Sequence, residues 1–159
     1  MVKGVDPLDA HQRSRLMSRI RGRGNLSTEM AMVQFLKAGQ IKGWRRHIAI
    51  RIQSVAPRRQ RVVCPDFVFP KKKVALFIDG CFWHGCPKHS VVPSKNAQFW
   101  KDKIQANMRR DRRQRRQLRK LGWCVIAVWE HCLKSKKFSP IMLRLSQALD
   151  SDVRGRVQP

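Results

Sequence analysis

The chain has 159 residues, and 35 Lys and Arg against 10 Asp and Glu leave a net charge of +25. That length suits one compact domain, and a 42% hydrophobic fraction with five Trp and seven Phe can fill its core, which excludes disorder throughout. The longest apolar run, Trp123 to Trp129, is far below the ~18–20 residues of a membrane helix, and Met1 to Ile20 carries no hydrophobic signal segment. The expectation is a soluble cytoplasmic domain, with no membrane partner, whose charge calls for a polyanion. Nucleic acid comes first, because neutralising phosphates and releasing their counterions is the main use of such a surplus.

Taken in chain order, a basic helix is predicted from about Asp9 to Ile20, broken by Gly22 and Gly24. A second helix starts near Ser27 or Thr28, where a hydroxyl can cap it, and carries Glu29, Val33 and Leu36 on one face before Gly39. Strands are expected at His47 to Ile52, Val62 to Phe69 and Lys73 to Asp79, rich in β-branched or aromatic residues and separated by basic or Pro-containing turns. Gly80 to Asn96 has no clear period and reads as a structured loop. A long helix from about Gln98 to Lys120 ends at Gly122, followed by an apolar central strand at Trp123 to Trp129 and a last helix near Pro140 to Leu149. The order implies an α/β fold with a mixed central sheet flanked by helices.

In so basic a chain the informative residues are the acids. Glu29 shares an i, i+4, i+7 stripe with Val33 and Leu36, and Asp111 lies on the stripe Ile104, Met108, Asp111, Leu118 of the long helix. A carboxylate on an inward stripe is costly unless it is paired, hydrogen-bonded or bound to a metal. Asp66 follows Pro65 in a strand and points away from the face of Phe67 and Phe69, while Asp79 ends the next strand. Ion pairs or helix-dipole contacts are the plainer account of any one of them. Together, a Pro-Asp at a strand, an acid thirteen residues on and a preceding helix Glu match the needs of phosphodiester hydrolysis with Mg²⁺. The arrangement is similar to the restriction-endonuclease-like core built around a Pro-Asp motif, without its usual acid-x-Lys continuation, since Gly80 and Cys81 follow Asp79.

Cys81, Cys86 and His89 cluster in the loop, and His131 and Cys132 arrive after the last strand. Two Cys five apart with a His three further on can wrap one side of a tetrahedral Zn²⁺, with either His131 or Cys132 as fourth ligand, giving a structural zinc loop. Cys64 and Cys124 read as core thiols. His84 lies in the same loop off the ligand spacing, either a further ligand or surface residue, or a general base oriented by Asp111.

The run Asp79-Gly80-Cys81-Phe82-Trp83-His84-Gly85-Cys86-Pro87 resembles the very short patch repair (Vsr) endonucleases. Agreement extends over about residues 9 to 135. It takes in Arg15-Leu16-Met17-Ser18-Arg19-Ile20, Pro65-Asp66-Phe67-Val68, Phe99-Trp100, Asn107, Arg110-Asp111-Arg112-Arg113, Leu121-Gly122-Trp123 and Val128-Trp129-Glu130. The resemblance implies an Mg²⁺-dependent endonuclease that nicks double-stranded DNA 5′ to the thymine of a T:G mismatch. Asp66 and the Ile78 backbone carbonyl would hold Mg²⁺. His84 would activate water with Asp111 behind it, and Glu29 would reach metal-bound waters. Phe82, Trp83 and Trp100 would wedge into the DNA beside the mismatch.

The sequence departs from the family at Asp79, which stands for a histidine and could add a metal ligand. It departs again at Cys86, His89 and His131, where zinc donors are exchanged, and in Ile48 to Val63, which is longer and more basic. The expected organisation is a basic DNA-contacting arm over 1–24, a nuclease domain over 25–149 and a flexible tail over 150–159. A monomer is expected, whose nick passes to a repair polymerase and ligase. The rival readings are a restriction-type endonuclease of other specificity and a non-catalytic zinc-stabilised DNA-binding protein.

Overall fold

The computed structural model describes Gln12, Arg15 and residues 25–52, 61–134 and 139–150. The expected first helix, the basic arm and the tail beyond Asp150 therefore lie outside the described residues, except that Gln12 and Arg15 are helical.

A mixed sheet of four strands forms the centre, in the order β1 (Arg45–Arg46), β4 (Phe67–Phe69), β5 (Val74–Asp79), β6 (Cys124–Trp129). β1 and β4 pair antiparallel, as do β4 and β5, whereas β5 and β6 are parallel over Val74↔Cys124 to Asp79↔Trp129. A parallel pair needs a crossover, supplied by the 24-residue helix α2 (Ala97–Lys120). A separate antiparallel ribbon joins β2 (Ile50–Ile52) to β3 (Arg61–Val63).

Alternation along β5 sorts the two faces. Val74, Leu76 and Ile78 belong to the larger core, with Met32, Val33 and Leu36 of helix α1 (Ala31–Ala38) and Leu145 and Ala148 of helix α4 (Ser139–Asp150). Ala75 belongs to a second core with Ile52 and Val63 of the ribbon and Leu118 of α2. Phe77 packs at that core's margin, so the next residue on this face is Asp79, at the point where the sheet stops.

Several local expectations change. The helix bearing Glu29 begins as a π-helical turn, Leu26–Met30, closed by the amides of Thr28 and Met30 on the Asn25 carbonyl, rather than as a regular α-helical turn. The expected strand Val62 to Phe69 is two strands in two sheets. Pro65 brings no N–H to a ladder, and the chain crosses from ribbon to main sheet through Cys64, Pro65 and a bend at Asp66. The start of the loop meets a short helix α3 (Glu130–Leu133), which the sequence pattern did not suggest: Cys81 N–H donates to Glu130 Oε2 at 3.4 Å.

The end of α2 follows the expected cap. Gly122, at φ +78°, donates to Arg119 O at 2.9 Å and Trp123 donates to Leu118 O at 3.0 Å, while Trp123 packs with Leu118 in the second core. This fixes where α2 stops, and with it which of its residues face the end of β5.

Candidate active site and metal centre

Beyond the C-terminal end of β5 lies a cleft of about 360 Å³ lined by Val62, Cys64, Asp66, Phe77, Ile78, Asp79, His84, Arg110, Asp111, Gln114 and Arg115. Five residues singled out from sequence, Asp66, Ile78, Asp79, His84 and Asp111, thus meet in one space, although 45 positions separate the first from the last.

Asp66 takes its place from the sheet. Its Oδ2 accepts the Ile78 N–H at 2.7 Å, so its carboxylate lies along the β5 edge where β4 has not yet begun to pair. An extended residue presents its N–H and C=O to the same edge, so the Ile78 carbonyl faces that side too. Burial raises the Asp66 pKa to about 6, and the neighbouring Glu29 and Asp79 carboxylates add to the rise against the Ile78 N–H and His47. Negative charge gathered without enough positive charge is a donor set suited to a hard divalent cation, and Asp66 with the Ile78 carbonyl fits one.

Asp111 is buried at 8% exposure in mid-helix, as its stripe predicts. His84 Nδ1 lies 2.6 Å from its Oδ2, and Arg110 donates to Oδ1 from Nε and Nη2 at 3.0 and 2.9 Å. Burial opposes its ionisation, but the His84 and Arg110 hydrogen bonds outweigh that and hold its pKa below the ordinary carboxylate value. An ionised Asp111 can only accept, so His84 donates from Nδ1, and in the neutral imidazole this leaves the lone pair on Nε2. That tautomer is the one a general base requires.

Asp79, 5% exposed, sits 3.8 Å from His84 Nδ1, but its Oδ1 accepts Arg115 Nη2 at 2.5 Å. Arg115 also lies over the Phe77 ring at 5.2 Å. Arg115 is not among the residues that the sequence pattern singles out. The available signal was its place one helical turn after Asp111, on the same face.

Glu29 is 3% exposed, with His47 Nε2 at 3.0 Å and Arg46 Nη1 at 3.7 Å. The His47 amide donates to the Asp66 carbonyl at 3.3 Å, and His47 has φ +54°, so a left-handed backbone turns its ring toward Glu29. Nothing in the periodicity marked His47. Cys64, expected in the core, is exposed on the cleft wall, because the crossing at Pro65 carries it out of both sheets. Cys124 packs at the margin of the larger core.

The loop after β5 has two working sides. Cys81, Cys86, His89 and His131 place one donor atom each within 4.8 Å of one another. Cys81 Sγ is 3.2 Å and Cys86 Sγ 3.6 Å from His131 Nδ1, and Cys86 Sγ is 3.7 Å from His89 Nδ1. Cys132 instead packs against the larger core, so His131 is the fourth member. Burial raises the Cys81 thiol pKa and lowers that of His131, so protein partners alone favour a neutral cluster. Two sulfurs and two imidazoles at this spacing could hold one tetrahedral metal ion.

His84 turns the other way. Gly85, at φ +65°, separates it from Cys86, and a Cβ there would stand 2.8 Å from Met108 Sδ and 3.0 Å from Ile104, so only glycine lets the loop lie this close to α2. Asn107 Nδ2 donates to Trp83 O at 3.0 Å and fastens the same contact. Beside it Phe82, Trp83 and Trp100 form an edge-to-face cluster with centroids 5.1–6.2 Å apart. Trp100 is 3% exposed and backs the half-buried Phe82 and Trp83, while Phe99, 60% exposed, packs on its outer side.

Known proteins are similar to this chain in sequence. Residues 5–90 match the family described as DNA mismatch endonuclease Vsr. The Type II nicking enzyme V.NaeI of Lentzea aerocolonigenes is 51% identical over 69 residues, 43% of this chain and 42% of that protein. The Type II nicking enzyme V.XorIIP of Xanthomonas oryzae pv. oryzae is 33% identical over 128 residues, 79% of this chain and 85% of the relative. The DNA mismatch endonuclease Vsr of Escherichia coli is 38% identical over 92 residues, 57% of this chain and 56% of its own. In the first and last of these the match spans about half of the relative's length. With a family match over more than half of its residues and a relative matched along most of both chains, this protein belongs to the DNA mismatch endonuclease Vsr family.

Proposed function

We propose that this protein is an Mg²⁺-dependent, restriction-endonuclease-like DNA endonuclease that nicks one strand of duplex DNA 5′ to the thymine of a T:G mismatch. The observation that carries the reading is one cleft holding Asp66 on the β5 edge and His84 bonded to an ionised Asp111. His84 Nε2 takes the proton of the attacking water, and Asp111 holds the resulting imidazolium. Asp66 and the Ile78 carbonyl would hold Mg²⁺, and Glu29, set by His47, would reach waters bound to it. Bound Mg²⁺ supplies electrophilic polarisation of the phosphoryl oxygen and stabilises the leaving oxyanion. Asp79, committed to Arg115, braces the base of the site rather than serving as a principal ligand.

Cys81, Cys86, His89 and His131 would hold Zn²⁺, which would fix the loop that presents His84. Phe82 and Trp83 enter the base stack at the mismatch with Trp100 behind them, offsetting the unstacking of a weak step. The enzyme works as a cytoplasmic monomer and leaves its nick to a polymerase and ligase. The test is a gel of end-labelled T:G, U:G and matched duplexes in several flanking contexts, with and without Mg²⁺. A nick only in the T:G strand and only with Mg²⁺ is expected. Equal cleavage of a matched site would favour a restriction-type enzyme, and binding without any nick would remove the catalytic reading.

A further inference from the structure

The carboxylate floor of the cleft repels phosphate, so whatever draws a polyanion there must stand on its rims. One rim is α2, whose Arg110 and Gln114, one helical turn apart, line the cleft. The other is the β2–β3 ribbon. In its register Ile50 faces Val63, Arg51 faces Val62 and Ile52 faces Arg61. Ile52 and Val63 are buried in the second core, with Ile50 beside them, so period-2 alternation sends Arg51 and Val62 to the opposite face. Val62 is 48% exposed and itself lines the cleft, and directly paired side chains stand about 4.5–5.5 Å apart at Cβ. Arg51, also exposed, therefore projects beside the cleft mouth. The ribbon is a rigid wall: its inner face is fixed against Ala75, Leu118 and Val125 of the sheet and α2.

We infer that the outer face of this ribbon is a substrate-contact surface, in which Arg51 neutralises a DNA phosphate flanking the one in the cleft and Val62 packs against the adjoining sugar. The strand then runs between the ribbon and α2, gripped on both sides of the reacting phosphate. An apolar side chain standing half exposed beside a paired arginine suits the alternation of sugar and phosphate along a nucleic-acid backbone. The inference rests on the proposed duplex-DNA substrate but not on its hydrolysis.

The test is binding of the full-length protein to a fluorescent T:G duplex in EDTA, across a series of KCl concentrations. Arg51→Ala should weaken binding about 3- to 10-fold and lower the slope of log K against log salt by about 0.9, the share of one phosphate. Val62→Glu, which sets an anion on the wall, should weaken binding at least as much. Arg51→Lys should restore the salt slope, and Arg144→Ala, on the distant α4, should match the unaltered protein. With Mg²⁺ and saturating DNA, any nicking rate should stay within about two-fold in Arg51→Ala while KM rises. Unchanged affinity and slope in both Arg51→Ala and Val62→Glu would overturn the inference, as would failure of the unaltered protein to bind the duplex. Binding that responds as stated, with no nick under any condition, would overturn the nuclease reading and leave this one standing.

Discussion

The two sides of the loop after β5 solve opposite problems. In the cleft each carboxylate already has a protein partner: Asp66 the Ile78 N–H, Asp79 Arg115, Asp111 His84 and Arg110. In the Cys/His cluster the members' short contacts are to one another, and burial disfavours the charged thiolate. The cleft can therefore keep its geometry without an ion, while the cluster's donors are arranged as a bound ion would use them. Preorganisation by hydrogen bonds suits a cation that must exchange with substrate; closure by the cation suits one that stays.

The sharpest way to break that contrast is through the chemistry. Asp66→Ala should lower the Mg²⁺-dependent nicking rate by roughly 10³-fold or more with mismatch binding retained, and His84→Ala by roughly 10²–10⁴-fold. Retained activity in Asp66→Ala, measured in single-turnover assays, would remove it from the metal site. Next comes metal removal. Under the proposed zinc site, chelation, or Cys86→Ser at a position 2% exposed, should lower Tm by about 5–10 °C and release stoichiometric zinc. Removing Mg²⁺ with EDTA should shift Tm by far less, and equal shifts would erase the distinction between the two sides.

A smaller effect probes the partners inside the cleft. Arg115→Met leaves the buried Asp79 carboxylate without its guanidinium and should cost about 2–3 kcal/mol in chemical denaturation. Adding Asp79→Asn should recover most of that loss, and no recovery would mean that Arg115 acts through Phe77 packing alone. The smallest effect is on pH dependence. Folded Asp66 keeps its proton to about pH 6 whereas the unfolded carboxyl releases it near 3.8, so the metal-free protein loses stability as pH rises between those values. Asp111 acts in the opposite sense: its pKa is lowered, so its contribution is present above 3.8 and lost in acid. Asp66→Asn should abolish the first fall, raising stability at pH 7 by roughly 1–2 kcal/mol, and a pH profile unchanged by the substitution would contradict the buried, proton-holding carboxyl.

Much of this was legible because periodicity and local chemistry agree. The inward stripe of α2 located Asp111, the apolar run at Trp123 to Trp129 located the partner of β5, and the Cys/His pattern located the cluster, with His131 or Cys132 left as alternatives for its fourth member. What escaped depends on groups distant in sequence. His131 rather than Cys132 completes the cluster because α3 turns Cys132 toward the core, and nothing in the local pattern orients a helix of four residues. His47 meets Glu29 through an unusual backbone angle, and Arg115 was hidden among arginines whose composition is uniform while their directions are not. The separation of β3 from β4 could have been argued from Pro65, but the exposure of Cys64 follows only once both sheets are placed.

Gly85 keeps His84 and Cys86 only two positions apart yet committed to different centres. A molecule whose cluster has lost its ion loses the anchor on one side of the glycine, and the imidazole on the other side loses its bearing on Asp111. Under the proposed mechanism a partly loaded sample is then a mixture of working and idle molecules, not a population uniformly slowed. With zinc in the cluster as proposed, the amplitude of the first turnover would count zinc atoms, while the rate constant of that turnover would stay the same.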